Sequence, residues 1–170
     1  MRKTINKHLG GGTLEMQIRE ATKSDYEVVH QLQKQVHAMH VKERPDHYKM
    51  TDTTLDQEYF NNLIDGENTR VLLLEEDQPI AYSIITIKYP TERPILMPRK
   101  VVYMDDFGVD SKYRGKGMGK VFFEKILEFA KSIEADSLEL SVWEFNEDAV
   151  KFYESMNLKT KMRQMEINLD

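Results

Sequence analysis

One stretch limits the folds open to this chain more than any other: a strand pattern, a glycine turn and a helix pattern in immediate succession. VVYMDDFGV (101–109) is rich in β-branched and apolar residues, as strands are. YRGKGMGK (113–120) holds three glycines and three cations. MGKVFFEKILEFAKSI (118–133) then puts Val121, Phe122, Ile126, Phe129 and the stem of Lys125 on one side of a helix. A strand that turns at once into an amphipathic helix lays that helix back on its own sheet. The turn also has a chemistry. Helix N-termini present unpaired N–H groups and a partial positive charge, and glycines let a ligand approach that backbone closely. Lys112, Arg114, Lys116 and Lys120 add positive charge with no acid between them, in a chain of net charge −5. The construction suits a pyrophosphate or other polyanion; the competing reading is a surface turn with solvated lysines. It is no P-loop, because Val121 stands where that motif needs a hydroxyl after Lys120, and GKGMG lacks the final spacing of the dinucleotide fingerprint.

The rest of the chain supplies the partners for this unit. MQIRE from Met16 alternates as a strand, and Ser24-Asp25 caps a helix carrying Tyr26, Val29, Leu32, Val36 and Met39. A second helix presents Leu55, Tyr59, Phe60, Leu63 and Ile64 and closes near Gly66. RVLLLEEDQPIAYSIITIKY reads as strand, turn, strand. After the glycine unit come a strand in SLELSVW, a helix in NEDAVKFYESM capped by Asn146, and a last strand in LKTKMRQMEINL. The expected order is β-α-α-β-β-β-α-β-α-β, one α/β domain over residues 16–170 with a mixed sheet. Residues 1–15, broken by three glycines, read as a disordered extension or a remnant of cloning, with Met16 the native start. The chain has 170 residues and no cysteine, which excludes disulfides, thiolate metal sites and a cysteine nucleophile. No apolar run reaches the roughly 20 residues that a membrane helix needs. Net acidity, and the lack of a basic face with interleaved aromatics, argue against nucleic acid as a partner. The expectation is a cytoplasmic protein, monomer or homodimer, with no metal.

Arg114-x-x-Gly117-x-Gly119 directly after DDFGVD resembles the Gln/Arg-x-x-Gly-x-Gly/Ala motif of the GNAT superfamily, the N-acetyltransferases that use acetyl-CoA. NEDAVKFYESMNL resembles that family's Asn-x-x-Ala-x-x-Phe/Leu-Tyr-x-x-x-Gly-Phe segment, with Asn146, Ala149, Phe152 and Tyr153 in register. Asn157 departs from the usual glycine, but asparagine tolerates the left-handed conformation that the turn needs. The resemblance runs from about Met16 to the C-terminus. It implies a splayed sheet with acetyl-CoA, as co-substrate, between two central strands. The main chain of Phe107, Gly108 and Val109 would hold the pantetheine arm. Arg114, Gly115, Lys116, Gly117, Met118, Gly119 and Lys120 would form the pyrophosphate loop, and Asn146 would touch the cofactor arm as well as cap its helix.

Direct attack of an amine on a thioester needs a neutral amine, a polarised carbonyl and a protonated leaving thiolate. Tyr153, at the family's tyrosine position, is the candidate acid. Its competing reading is a core tyrosine on the apolar face of Ala149, Phe152 and Met156. Asp105, Asp106 and Glu144 are candidate bases. Adjacent strand residues point to opposite faces, so one of Asp105 and Asp106 at most is expected to face the acceptor. HAMHVKERPDHY, between the first two helices, is where the resemblance places the acceptor pocket. His40 and Tyr48 are the expected lining residues, while His37, His40, His47 and Asp46 form no compact ligand pattern for a metal. The function expected is acetyl transfer from acetyl-CoA to the primary amine of a small molecule. The alternatives are transfer to a protein N-terminus or lysine, and a non-catalytic acyl-CoA-binding sensor.

Overall fold

The computed structural model describes residues 3–9, 12–91 and 93–169. Six strands form one sheet in chain order: β1 (Lys3–Leu9), β2 (Gly12–Glu20), β3 (Thr69–Glu75), β4 (Pro79–Lys88), β5 (Val101–Val109) and β6 (Ser137–Leu140). All neighbours are antiparallel except β5 and β6, which run parallel through a helical crossover. Helices α1 (Tyr26–Glu43) and α2 (Gln57–Asp65) lie between β2 and β3; α3 (Met118–Ser132) follows β5 and α4 (Glu147–Ser155) follows β6.

The unbroken apolar run in β3 has a direct cause, since both faces of the sheet are covered. Val71 and Leu73 join Tyr82 and Ile84 of β4 against Val29 and Leu32 of α1 and Phe60 and Leu63 of α2. Leu72 and Leu74 join Ile85, Val102 and Met104 against Phe122, Phe123 and Ile126 of α3. The helix patterns read from the sequence match these faces except at Tyr59, expected inside but exposed, and Phe123, left out of the pattern but buried. Asn157 ends α4 with φ 66°, the left-handed turn expected of it. Gly108 is where α1 crosses β5: a Cβ there would sit 2.5 Å from the Tyr82 ring and 3.0 Å from a Val36 methyl. Tyr82 is fully buried and its ring has nowhere to retreat. Gly108→Ala is expected to destabilise the fold by about 1–3 kcal/mol, read as a lower urea midpoint at unchanged m-value.

Two expectations need correction. The first strand begins at Gly12 rather than Met16 and pairs along Lys3–Leu9, so regular structure precedes Met16; residues 10 and 11 of the glycine run lie outside those described. The last strand does not form. Residues 158–169 join no ladder, and Met162, Met165, Ile167 and Leu169 are exposed. The parity of the apolar positions switches between Met162 and Met165, so no single strand face could bury them all. The segment is held instead by ion pairs, Lys161–Glu139 at 2.6 Å and Glu166–Arg44 at 2.8 Å. Among the described residues no helix is long and apolar enough to cross a membrane.

Candidate active site

The sheet opens at one place. β5 and β6 pair only from Val101–Ser137 to Met104–Leu140. Beyond Met104, β5 continues to pair with β4, as Asp106–Ile84, Phe107–Ser83, Gly108–Tyr82 and Val109–Ala81, but among the described residues no strand pairs with its other side. The cause is a register shift in which Ile84 faces Asp106 while Ile85 faces Met104, leaving Asp105 as an extra residue. A bulge bends and twists its strand, and here it turns β5 away from β6. The result is a wedge with one free peptide edge, the geometry that accepts an extended polar chain through main-chain hydrogen bonds. Its lining is apolar: the Phe107 ring stacks on Phe122 at 5.5 Å and on Phe152 at 6.0 Å.

The glycine turn closes one end of the wedge. Asp110 Oδ1 accepts from the Lys112 amide at 2.9 Å, and Arg114 Nε donates to the Val109 carbonyl at 2.9 Å, so Arg114 braces the turn. Gly115 and Gly117 have φ of 71° and 76°, a region other residues rarely enter. Gly117 caps α3, whose first internal bond is Val121 N–H to the Gly117 carbonyl. The amides of Met118, Gly119 and Lys120 therefore have no acceptor within the helix. Nothing lies within 4 Å of a Cβ built on Gly115, whereas one on Gly119 would touch Phe152 and Val109 at 3.7 Å. The Met118 side chain is core. Lys116 lies over the Tyr113 ring at 5.4 Å and Lys120 is 3.9 Å from Glu124. Asn146 Oδ1 accepts from the Ala149 amide at 3.3 Å, the cap expected of it.

The three acidic candidates separate. The opposite-face expectation for Asp105 and Asp106 fails because the bulge breaks the alternation. Asp105 accepts from Thr86 Oγ1 at 2.6 Å, on the same side of β4 as Tyr82 and Ile84, and Asp106 accepts from Gln33 Nε2 of α1 at 3.2 Å. Both carboxylates therefore lie on the α1 side of the sheet. Asp105 is exposed, and Glu144 sits on an exposed turn after β6 rather than in a strand. Asp106 is enclosed. Its Oδ1 accepts from the Phe107 amide at 2.9 Å, and burial lifts its carboxyl above the ordinary carboxylate range, against the opposing pull of Tyr82, Gln33, that amide and His40. Two buried oxygens lie beside it: Gln33 Oε1, which has no hydrogen-bond partner, and the Tyr82 hydroxyl, which pulls on the carboxylate. Tyr153 packs against Phe123 at 6.0 Å and Phe152 at 5.2 Å; burial and, next, the Asp106 charge raise its phenol well above the ordinary value. That phenol keeps its proton at neutral pH.

His40 borders the same carboxylate. Burial lowers its pKa, while Asp106 pulls it up and His37 pulls it down. Its imidazole stacks on Tyr48 at 4.9 Å and meets Phe145 edge-on at 5.9 Å. Trp143 closes the group, stacked on Phe145 at 5.7 Å and donating from Nε1 to the Tyr48 hydroxyl at 2.9 Å. The structure thus brings together Asp106, Tyr153, His40 and Tyr48 and leaves out Asp105 and Glu144. Sequence reasoning missed Gln33, Tyr82, Trp143 and Phe145. Only Tyr82 carried a signal, a polar tip inside the apolar run of β4. Among the described residues no grouping of His, Asp and Glu could hold a metal.

Comparison with known proteins agrees with this geometry. The model of the acetyltransferase (GNAT) family matches residues 34–158. The tetramutant of the BH1408 protein from Bacillus halodurans superposes with a TM-score of 0.87 at 38% identity, over 89% of this chain and 99% of that one. Glucosamine-6-phosphate N-acetyltransferase from Arabidopsis thaliana shares the fold, with a TM-score of 0.64 at 22% identity over 91% of this chain and 99% of its own. An uncharacterized N-acetyltransferase, YdgE of Bacillus subtilis, is 34% identical over 61 residues, and that match spans 36% of this chain and 39% of the relative. With a family match over most of its length and a wedge, a glycine-capped helix and a packed tyrosine where the family motifs fall, the chain belongs to the GNAT family of acetyltransferases.

Proposed function

We propose that this protein transfers the acetyl group of acetyl-CoA to the primary amine of a small molecule by direct attack. The observation that carries the reading is the opened β5 edge, with free α3 amides at one end and Asp106 and Tyr153 on its flanks. The main chain from Phe107 to Val109, apart from the Phe107 N–H that Asp106 holds and the Val109 carbonyl that Arg114 holds, suits the amides of the pantetheine arm, and the amides from Gly117 to Lys120 suit the pyrophosphate. A free N–H on the β5 edge can polarise the thioester carbonyl. Asp106 accepts a proton from the acceptor ammonium. The amine lone pair forms the new C–N bond, the C–S bond breaks, the departing thiolate takes the Tyr153 proton, and the second proton lost by the new amide nitrogen restores the Tyr153 phenol. The products are the N-acetylated amine and CoA with a free thiol.

Burial serves both groups. It makes the Asp106 carboxylate more basic than usual and keeps the phenol protonated. Isothermal titration with acetyl-CoA, followed by thiol release with a panel of primary amines, tests the proposal. Saturable binding and turnover are expected; absence of binding, or binding with no turnover of any amine, sinks it. Tyr153→Phe preserves the ring contacts and removes the proton. It is expected to lower kcat by about 10²-fold at unchanged acetyl-CoA affinity, the lower edge of what acid catalysis contributes.

A further inference from the structure

The wall beside Asp106 has a chemistry of its own. Four half-buried rings from three separate segments form a closed circuit: His40 from α1, Tyr48 from the loop after it, and Trp143 and Phe145 from the turn after β6. Part of the polar surface of this wall is already engaged. Trp143 Nε1 is spent on the Tyr48 hydroxyl, and His37 Nε2 contacts the Lys49 carbonyl at 2.9 Å. Arg44, 4.8 Å above the Trp143 ring, is neutralised by Asp46 at 2.7 Å and Glu166 at 2.8 Å.

What the wall chiefly offers a ligand is ring surface. Phe145 is stacked on one side only, by Trp143, and meets His40 through an edge contact. A polyhydroxylated amine would find few free donors or acceptors here. An amine bearing phosphate would find its natural partner, Arg44, already paired with two carboxylates. A polyamine would lay its further ammonium groups against rings, where the neighbouring acids are Glu144, exposed to solvent between Trp143 and Phe145, and Asp46 and Glu166, both paired with Arg44. An aryl group fits each of these conditions, since ring on ring adds attraction beyond the area covered. One enclosed carboxylate at the inner end calls for a single ammonium.

We propose that the acceptor is an aromatic monoamine, its ammonium directed at Asp106 and its ring laid against Phe145 and His40. This rests on the transfer reading above and specifies the substrate class of the same site.

The test compares kcat/KM for 2-phenylethylamine, tryptamine, n-hexylamine, spermidine and glucosamine in the wild type and in Phe145→Ala, with acetyl-CoA titration as a check that the variant is folded. The aryl amines are expected to exceed the other three by at least about tenfold. Phe145→Ala is expected to remove most of that preference through KM while acetyl-CoA still binds. Equal or better use of hexylamine, spermidine or glucosamine overturns the proposal and leaves acetyl transfer standing, as does an aryl preference that survives in Phe145→Ala. Binding of acetyl-CoA with turnover of no amine overturns the transfer reading, and this proposal with it.

Discussion

Asp106→Asn is expected to lower kcat by about 10²–10⁴-fold and, in the same protein, to raise the thermal midpoint at pH 7. The first effect follows from the loss of a half-buried carboxylate whose charge acts on both Tyr153 and His40. The second follows from linkage. A carboxyl whose pKa is raised on folding holds its proton more tightly in the native chain than in the unfolded one. The stability it contributes is fully present below the unfolded value, near 4, and is lost as pH rises through the folded value. Above that folded value the native state carries the cost of the half-buried charge, which an amide of the same shape removes.

The hydrogen bonds survive the exchange. The asparagine oxygen keeps the Phe107 amide, and its NH₂ can donate to Gln33 once that amide turns its oxygen, now without a partner, towards it. The gain in midpoint should shrink as the pH falls towards 4, where the wild-type carboxyl takes up its proton. The acidic limb of the wild-type rate profile should lie above the usual carboxylate range. Unchanged kcat in Asp106→Asn would move the base to Asp105 or Glu144; a lower midpoint at pH 7 would mean that the charge is fully compensated where it lies.

Which features were legible in the sequence follows from how local their causes are. The glycine turn and both of its flanks are written in consecutive residues, because left-handed φ at Gly115 and Gly117 and the amphipathic face of α3 are short-range properties. The same holds for the Asn146 cap and the left-handed Asn157. The bulge at Asp105 could not be read there, since a register shift belongs to the pairing of β5 with β4 and leaves no mark in VVYMDDFGV. Strict alternation therefore gave the wrong relation between two adjacent carboxylates. Gln33 and Tyr82 were invisible for a related reason: they matter only because α1 crosses β4 and β5 at Asp106. The ring wall joins residues from His40 to Phe145, and nothing local ties Trp143 to Tyr48. LKTKMRQMEINL shows the opposite error, local alternation taken for a strand where no partner strand receives it.

Gly117→Glu is expected to weaken acetyl-CoA binding by at least about 100-fold, some 2.7 kcal/mol, while the protein remains folded. Three effects act in one direction. Gly117 sits at φ 76°, where a side chain strains the backbone. It caps α3, so any side chain added there enters the space in front of the free amides of Met118, Gly119 and Lys120. A carboxylate at that position is itself the anion that a helix N-terminus attracts, so it competes for the amides and repels the phosphates. Gly117→Asn separates these causes. Asparagine tolerates left-handed φ and is a good N-cap, so it retains much of the bulk at little strain and with no charge. Calorimetric titration of both variants with acetyl-CoA and with CoA should give a modest loss for asparagine, a large one for glutamate, and the same ratio for both ligands, because the phosphates are common to them. Equal affinity in Gly117→Glu and wild type would place the phosphates away from this turn, and the cations from Lys112 to Lys120 would then be a solvated surface and no more.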